Sequence, residues 1–447
     1  MSHSGLSLPQ RRTWPQSLPF YYGWVNVIVA SMAMTATLPG RTHGLGLITE
    51  PLLHELNIDR VLFARINLVG SLVGAAFCIP IGWLIDRFGV RRVLVSVTVA
   101  LGVSVIDMSA SEGPASLLFG LVLVRGFGQS ALSVVSMAAI GKWFCRRLGT
   151  AMGVFAVLLT FGFIGSVLAM GEAVEQWGWR SAWQGLGLIL LSVAPLFWLF
   201  ARSTPESCGL LPDEPPAIED SGASAVCDFT FRQALATPSF WILVLGSCAF
   251  NLVWSGVTLF NESMLAERGL SQEIAVQIMA ILTGVGLVAN LVGGALATRT
   301  RVVKLMGAGL IFLAIGLATF PTIDGPAGAR LYAMAIGLSG GFVTVVFFAA
   351  WGHLFGRAQL GRIQGVAQLA TVLASALGPV LMAESLSFAG SYSPMFYALS
   401  CVVGVLALAA LLAPTPRILV NMAVVDTGNG AVAGHRIGTI DPQYADE

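Results

Sequence analysis

Charge is what this sequence has least of. Asp, Glu, Lys and Arg together make up 11% of 447 residues, where a water-soluble domain carries about 25%. That scarcity excludes a soluble globular protein. The formal net charge is +1 and the cations form no basic run, which excludes a nucleic-acid partner held by phosphate neutralisation. Six cysteines are scattered without CxxC or Cys/His spacing, so neither a metal site nor a disulfide framework is expected. No nucleophile, metal cluster or carboxylate pair suggests catalysis, so no enzyme activity and no cofactor are expected.

Apolar sequence fills the space. Hydrophobic residues reach 56%, gathered in twelve stretches between Phe20 and Ala413. Each stretch is long enough to cross a bilayer, which takes about 20 residues. Inside hydrocarbon only structures with internally satisfied backbones survive. The expected class is an all-α membrane protein with twelve transmembrane helices. The boundaries read as an N-terminal tail over 1–19, a six-helix bundle over 20–201, a polar linker over 202–237, a second six-helix bundle over 238–413 and a tail over 414–447. The first apolar stretch is too long for a cleavable signal. With the N-terminus inside, 17 Lys and Arg fall in inner segments and five in outer ones. That bias predicts both termini in the cytoplasm and a multi-pass protein of the cell membrane.

A shift of 212 residues superposes the halves. Glu50 maps to Glu262, Gly74 to Gly286, Gly82 to Gly294, Arg87 to Arg299, Gly149 to Gly361 and Gly153 to Gly365. Two parallel six-helix repeats imply two pseudosymmetric bundles with a cavity between them near mid-membrane, an arrangement typical of transporters.

The loop Gly82-Trp-Leu-Ile-Asp86-Arg87-Phe-Gly89-Val-Arg91-Arg92 joins the second and third spans; its copy after Gly294 has lost the acid, with Thr298 at that place. This loop resembles that of the major facilitator superfamily. The resemblance implies the superfamily fold and a conformational, gating role for Asp86, Arg87 and Arg91; anchoring of the arginines at the inner face is the alternative.

Polar residues that break the repeat have to justify their desolvation locally. Arg at a helix centre costs about 2.5–3.5 kcal/mol even on mild scales. Arg41 maps to Val253 and Arg125 to Gly337, so both are candidate substrate-binding residues, with structural pairing as the alternative. Arg41 follows Pro39 and Gly40, which loosen the helix and bare backbone groups beside a cation, a setting suited to an anion. His43 would join only if that break re-aims it. Arg125 opens Arg125-Gly126-Phe127-Gly128-Gln129, similar to the superfamily's fourth-helix motif, which the resemblance links to proton coupling or anion binding. Carboxylates lie toward the span ends, so no cation site announces itself. In the second half the candidates are neutral: Asn251, Asn290, Gln364 and Gln368. Asn251 and Trp254 lie on one helix face and would shape the opposite wall of the substrate site.

Tyr21-Tyr22-Gly23-Trp24, the stretch Arg202–Asp213, Phe231–Trp241 and Phe355–Gly365 resemble the bacterial monocarboxylate transporter and oxalate/formate exchanger branch. That branch's eighth-helix and eleventh-helix charges are missing here. The combined expectation is a secondary active transporter of a small organic anion, a monocarboxylate with proton symport, working by alternating access in the lipid bilayer. The first rival is an exporter of neutral or amphipathic molecules. A non-transporting sensor is the second.

Overall fold

The computed structural model describes residues 14–17, 19–145, 147–213, 228–297, 300–413, 418–420 and 438–440. Ten helical segments among them are long and apolar enough to cross a membrane. One of these, Leu148–Phe200, is two crossings hinged at Gly178 (φ 76°, ψ 158°), and the first span, broken into Gly23–Thr35 and Thr42–Leu56, completes twelve. Positive φ at Gly178 suits a residue without Cβ, and this one glycine reverses the chain between the fifth and sixth spans.

The helices in chain order are α1 Gly23–Thr35, α2 Thr42–Leu56, α3 Arg60–Ala75, α4 Cys78–Phe88, α5 Val90–Ser109, α6 Pro114–Val124, α7 Ser133–Gly141, α8 Leu148–Phe200, α9 Phe231–Leu235, α10 Pro238–Glu267, α11 Gln272–Leu296, α12 Val302–Thr319, α13 Pro326–Phe355, α14 Leu360–Ala389 and α15 Ser393–Leu412. A π-helical stretch, Arg125–Leu132, joins α6 to α7 within the fourth span. Proline at the first position opens α6, α10 and α13, where its missing N–H is no loss. The spans are apolar nearly all round, and Phe161, Leu168 and Phe388 stay exposed where lipid chains would run. A short antiparallel pair, Ile418–Val420 with Gly438–Ile440, is the described part of the C-terminal tail. The middle of the linker, 214–227, lies outside the described residues.

The two halves meet at the end that carries the Gly82–Arg92 loop, here called the arginine-rich end. Two seams join them: α4 against α14, and the first arm of α8 against α11. At the first seam a Cβ on Gly361 would fall 2.5 Å from the Gly82 carbonyl oxygen, and one on Gly365 would fall 2.6 Å from that of Cys78. Only glycine fits there. At the second, a Cβ on Gly294 would stand 3.1 Å from the Gly149 oxygen, and one on Gly153 would stand 3.6 Å from Gly294 Cα. The residues that superpose in the repeat are the residues that touch across the halves.

The described parts of the linker run along this end. Asp213 accepts from the backbone N–H groups of Cys145 and Arg147 (2.6 Å to Arg147). Asp228 accepts from the Arg357 N–H at 2.7 Å, and the Phe229 N–H donates to the Phe355 carbonyl at 3.0 Å. Acids that composition marks only as a polar insert thus fasten the loops of both halves.

Candidate functional site

The first span breaks where its sequence says it must. Pro39 has no N–H to continue the ladder, and residues 38–40 tighten into a 3-10 turn. Arg41 then adopts an extended backbone (φ −98°, ψ 153°) as the N-cap of α2, with no side chain capping the new helix. The first-turn amides of α2 therefore face a region of positive potential without a carboxylate cap. A Cβ on Gly40 would sit 2.6 Å from the Val124 oxygen and 2.7 Å from the Gln129 nitrogen, so the break rests directly on the π-helical stretch of the fourth span. Two irregular segments support each other, and each supplies an arginine.

Arg41 donates from Nε to Thr37 Oγ1 at 3.1 Å and from Nη2 to Ser133 Oγ at 2.9 Å, with Met34 Sδ at 3.4 Å and the Phe163 ring 6.0 Å from Cζ. Arg125, 4% exposed, donates from Nη1 to the Gly40 carbonyl at 3.2 Å and to Gln129 Oε1 at 2.8 Å, and from Nη2 to Asn67 Oδ1 at 2.7 Å. Its Nε has no partner among the described residues. Among the described residues no carboxylate forms an ion pair with either guanidinium, and every acceptor is neutral. Two positive charges beside an uncapped helix N-terminus can accommodate an anion through bidentate, charge-assisted hydrogen bonds. His43 is exposed in the first turn of α2, two positions after Arg41.

The remaining expected site residues are placed elsewhere. Asn251 is half-buried and donates its Nδ2 to the Ser247 carbonyl at 2.8 Å, while Trp254 stacks on Phe250 at 5.9 Å and 24°. Among the described residues no hydrogen bond joins Asn251 to Trp254, and no ring contact or hydrogen bond ties them to the arginines. Asp86, 6% exposed, bridges the halves: it accepts from the Gly361 and Arg362 backbone N–H groups at 3.0 and 3.1 Å and from Lys142 Nζ at 3.2 Å. A carboxylate on the first turn of α14 is also favoured by that helix's dipole. Arg87 and Arg91 stay with their own half. Arg87 stacks on Trp83 (5.3 Å), and Arg91 stacks on Trp198 (4.3 Å) and donates to the Trp198 carbonyl at 2.8 Å.

Asn67, Ser133 and Thr37, which hold the two arginines, escaped sequence reasoning. A signal existed for all three. Under the 212-residue shift Thr37 maps to Ala249, Asn67 to Met279 and Ser133 to Val345, the same break in the repeat that singled out Arg41 and Arg125.

A separate cavity of about 780 Å³ lies among α1 and both arms of α8, lined by groups such as Ile28, Met32, Phe161 and Trp177. Neither arginine and no residue of the second half lines it. It is an apolar groove within one bundle, apart from the junction of the halves.

Comparison with known proteins adds four findings. The sequence profile of the Major Facilitator Superfamily matches residues 24–379. The chain is 26% identical to human monocarboxylate transporter 11 over 413 residues, spanning 88% of this chain and 84% of that protein. It is 25% identical to an MFS-type efflux pump of Mycolicibacterium smegmatis over 262 residues, 56% of this chain and 57% of that one. Among solved structures, the proton:xylose symporter XylE aligns with a TM-score of 0.63 at 16% identity, covering 87% of this chain and 95% of that chain.

Proposed function

The chain belongs to the Major Facilitator Superfamily, a family of transporters and not of enzymes, and from that premise we propose that it carries a small organic anion by alternating access. The observation that supports this reading is the pair of guanidiniums, Arg41 and Arg125, held by neutral groups beside the uncapped start of α2. The anion would complete the charge balance that the protein leaves open. A monocarboxylate accompanied by a proton crosses as a neutral sum. It then escapes the membrane-potential penalty of about 2.3 kcal/mol per charge per 100 mV, so proton symport is the coupling proposed. The arginine-rich end would face the cytoplasm of a cell-membrane protein, with the closed seams there and the arginines approached from outside. Asn251 and Trp254 are proposed as the second-half wall, and Asp86 as the gate residue.

The test is thermal unfolding of the detergent-purified protein with carboxylates, neutral solutes and organic cations. A ligand at 100 times its Kd adds about 2.7 kcal/mol to the native state. Stabilisation by carboxylates that Arg41→Gln abolishes is the expected result. The likeness to an efflux pump and the apolar groove favour one second reading, export of amphipathic compounds. Stabilisation by neutral or cationic compounds alone, equal in Arg41→Gln, would put that reading first.

A further inference from the structure

Gln364 lies in the first turns of α14, on the face that meets the other half. It shares that face with Gly361 and Gly365, because positions three, four and seven apart align along one side of a helix. These are the glycines that bring α14 onto α4. The side chain is 1% exposed, and among the described residues neither Nε2 nor Oε1 has a hydrogen-bond partner. A primary amide offers two donors and two acceptors, and burying one dry and unpaired is among the costlier things a fold can do.

The fold itself does not require an amide at this place. Under the repeat Gln364 maps to Met152, which is fully buried. Gln368, one turn along the same face, maps to Ala156 and is 7% exposed. The helix that carries both glutamines also packs on the π-helical stretch and on α7, which bear Arg125 and Ser133, the latter a hydrogen-bond partner of Arg41. One polar face therefore leads from the seam toward the arginines.

We propose that Gln364 is a state-specific contact for the transported solute. While the arginine-rich end is closed, its amide is sealed away from every partner. Once the halves part there, the same amide becomes the second-half polar wall along which the solute leaves. The penalty of the unpaired amide falls on the closed arrangement alone, so Gln364 also favours opening.

The experiment compares wild type with Gln364→Met, which installs the residue the first half already carries. Propionate is the probe. Gln364→Met should melt about 2 °C higher without ligand, and propionate should raise both melting temperatures by the same increment. Uptake of labelled propionate into proteoliposomes should fall at least fivefold. Gln368→Met should gain nothing in melting temperature. A Gln364→Met protein that melts higher yet transports at the wild-type rate would reduce the amide to a packing defect and overturn the proposal. So would one that melts lower. A wild type that propionate neither stabilises nor enters rejects the anion reading alone. In that event Gln364→Cys decides: labelling by an impermeant maleimide from the arginine-rich side, read at that peptide by mass spectrometry, upholds the proposal, and no labelling from either side ends it.

Discussion

The two seams between the halves are copies of one design that have diverged in strength. Gly82 against Gly361 and Gly365, and Gly294 against Gly149 and Gly153, are related by the same 212-residue shift. Both bring helix backbones together without side chains between them, which gives dispersion contact where lipid supplies no hydrophobic drive. The first seam alone adds Asp86, which caps α14 and draws in Lys142. It also buries the Gln364 amide with neither Oε1 nor Nε2 paired among the described residues, while at the second seam the Asn290 Oδ1 is buried without a partner. The second is looser and has Met152 where the first has Gln364. The repeat thus builds a symmetrical junction, and unrepeated residues set how firmly each side of it holds. The arginines follow the same logic, since both sit in one half with apolar or glycine counterparts in the other.

Removing the acid should produce the largest change. Asp86→Ala strands the buried Lys142 ammonium and uncaps α14, so closure at that end should weaken by about 3 kcal/mol. Distance measurements between spin labels on α4 and α14 would report the parting; an unchanged separation would show that glycine packing alone holds the seam. Glycine replacement should divide the seams next. Gly82→Ala drives a Cβ into the facing α14 backbone, with the Gly361 carbonyl carbon at 2.9 Å, and should cost about 1–3 kcal/mol. Gly153→Ala meets only ordinary contact at 3.6 Å and should be neutral or stabilising by up to about 1 kcal/mol, through helix propensity. Equal melting temperatures for the two variants would abolish the distinction.

The smallest effect concerns the linker's contribution. Glu206 accepts from Arg357 at 2.7 Å, and Arg357 also donates to the Lys142 carbonyl at 2.7 Å. Partial burial pushes the Glu206 carboxyl up, but its backbone hydrogen bond and Arg357 together leave it below the ordinary carboxylate range. A depressed value means the pair contributes fully above that range and is lost as pH falls through the lowered value. Glu206→Gln should therefore lower stability by no more than about 1 kcal/mol, equally at pH 8 and pH 5, and converge on wild type only in stronger acid. Divergence between pH 8 and pH 5 in melting curves would assign a titration to this pair that its surroundings do not support.

The twelve crossings, the repeat and the break at Pro39 are legible in the chain because each follows from local composition or from a single offset. Asp86 is legible as a loop residue, but its partners are not. Lys142 reaches it from 56 positions away within the same half, and the start of α14, 275 positions on, only when the two halves dock. Arg87 and Arg91 look alike beside Asp86 in sequence, yet aromatic faces at Trp83 and Trp198 hold them in their own half. Asn251 and Trp254 share a helix face as their spacing implies, but a preceding carbonyl and Phe250 take up their interactions. The π-helical stretch is likewise invisible to hydropathy, since one extra residue per turn leaves composition untouched.

The sequence by itself determined the membrane as solvent, the number of crossings, the two-fold plan and the asymmetric placement of two cations. Hydrocarbon tolerates so few backbone arrangements that apolar length alone dictates these. Only the tertiary structure decided that Arg41 and Arg125 converge on one helix break, with no carboxylate among the described residues paired to either, and that the seam carrying Asp86 is the tighter of two related contacts. Burial and pairing of a polar group depend on what the other half brings to it, and no local pattern along the chain encodes that.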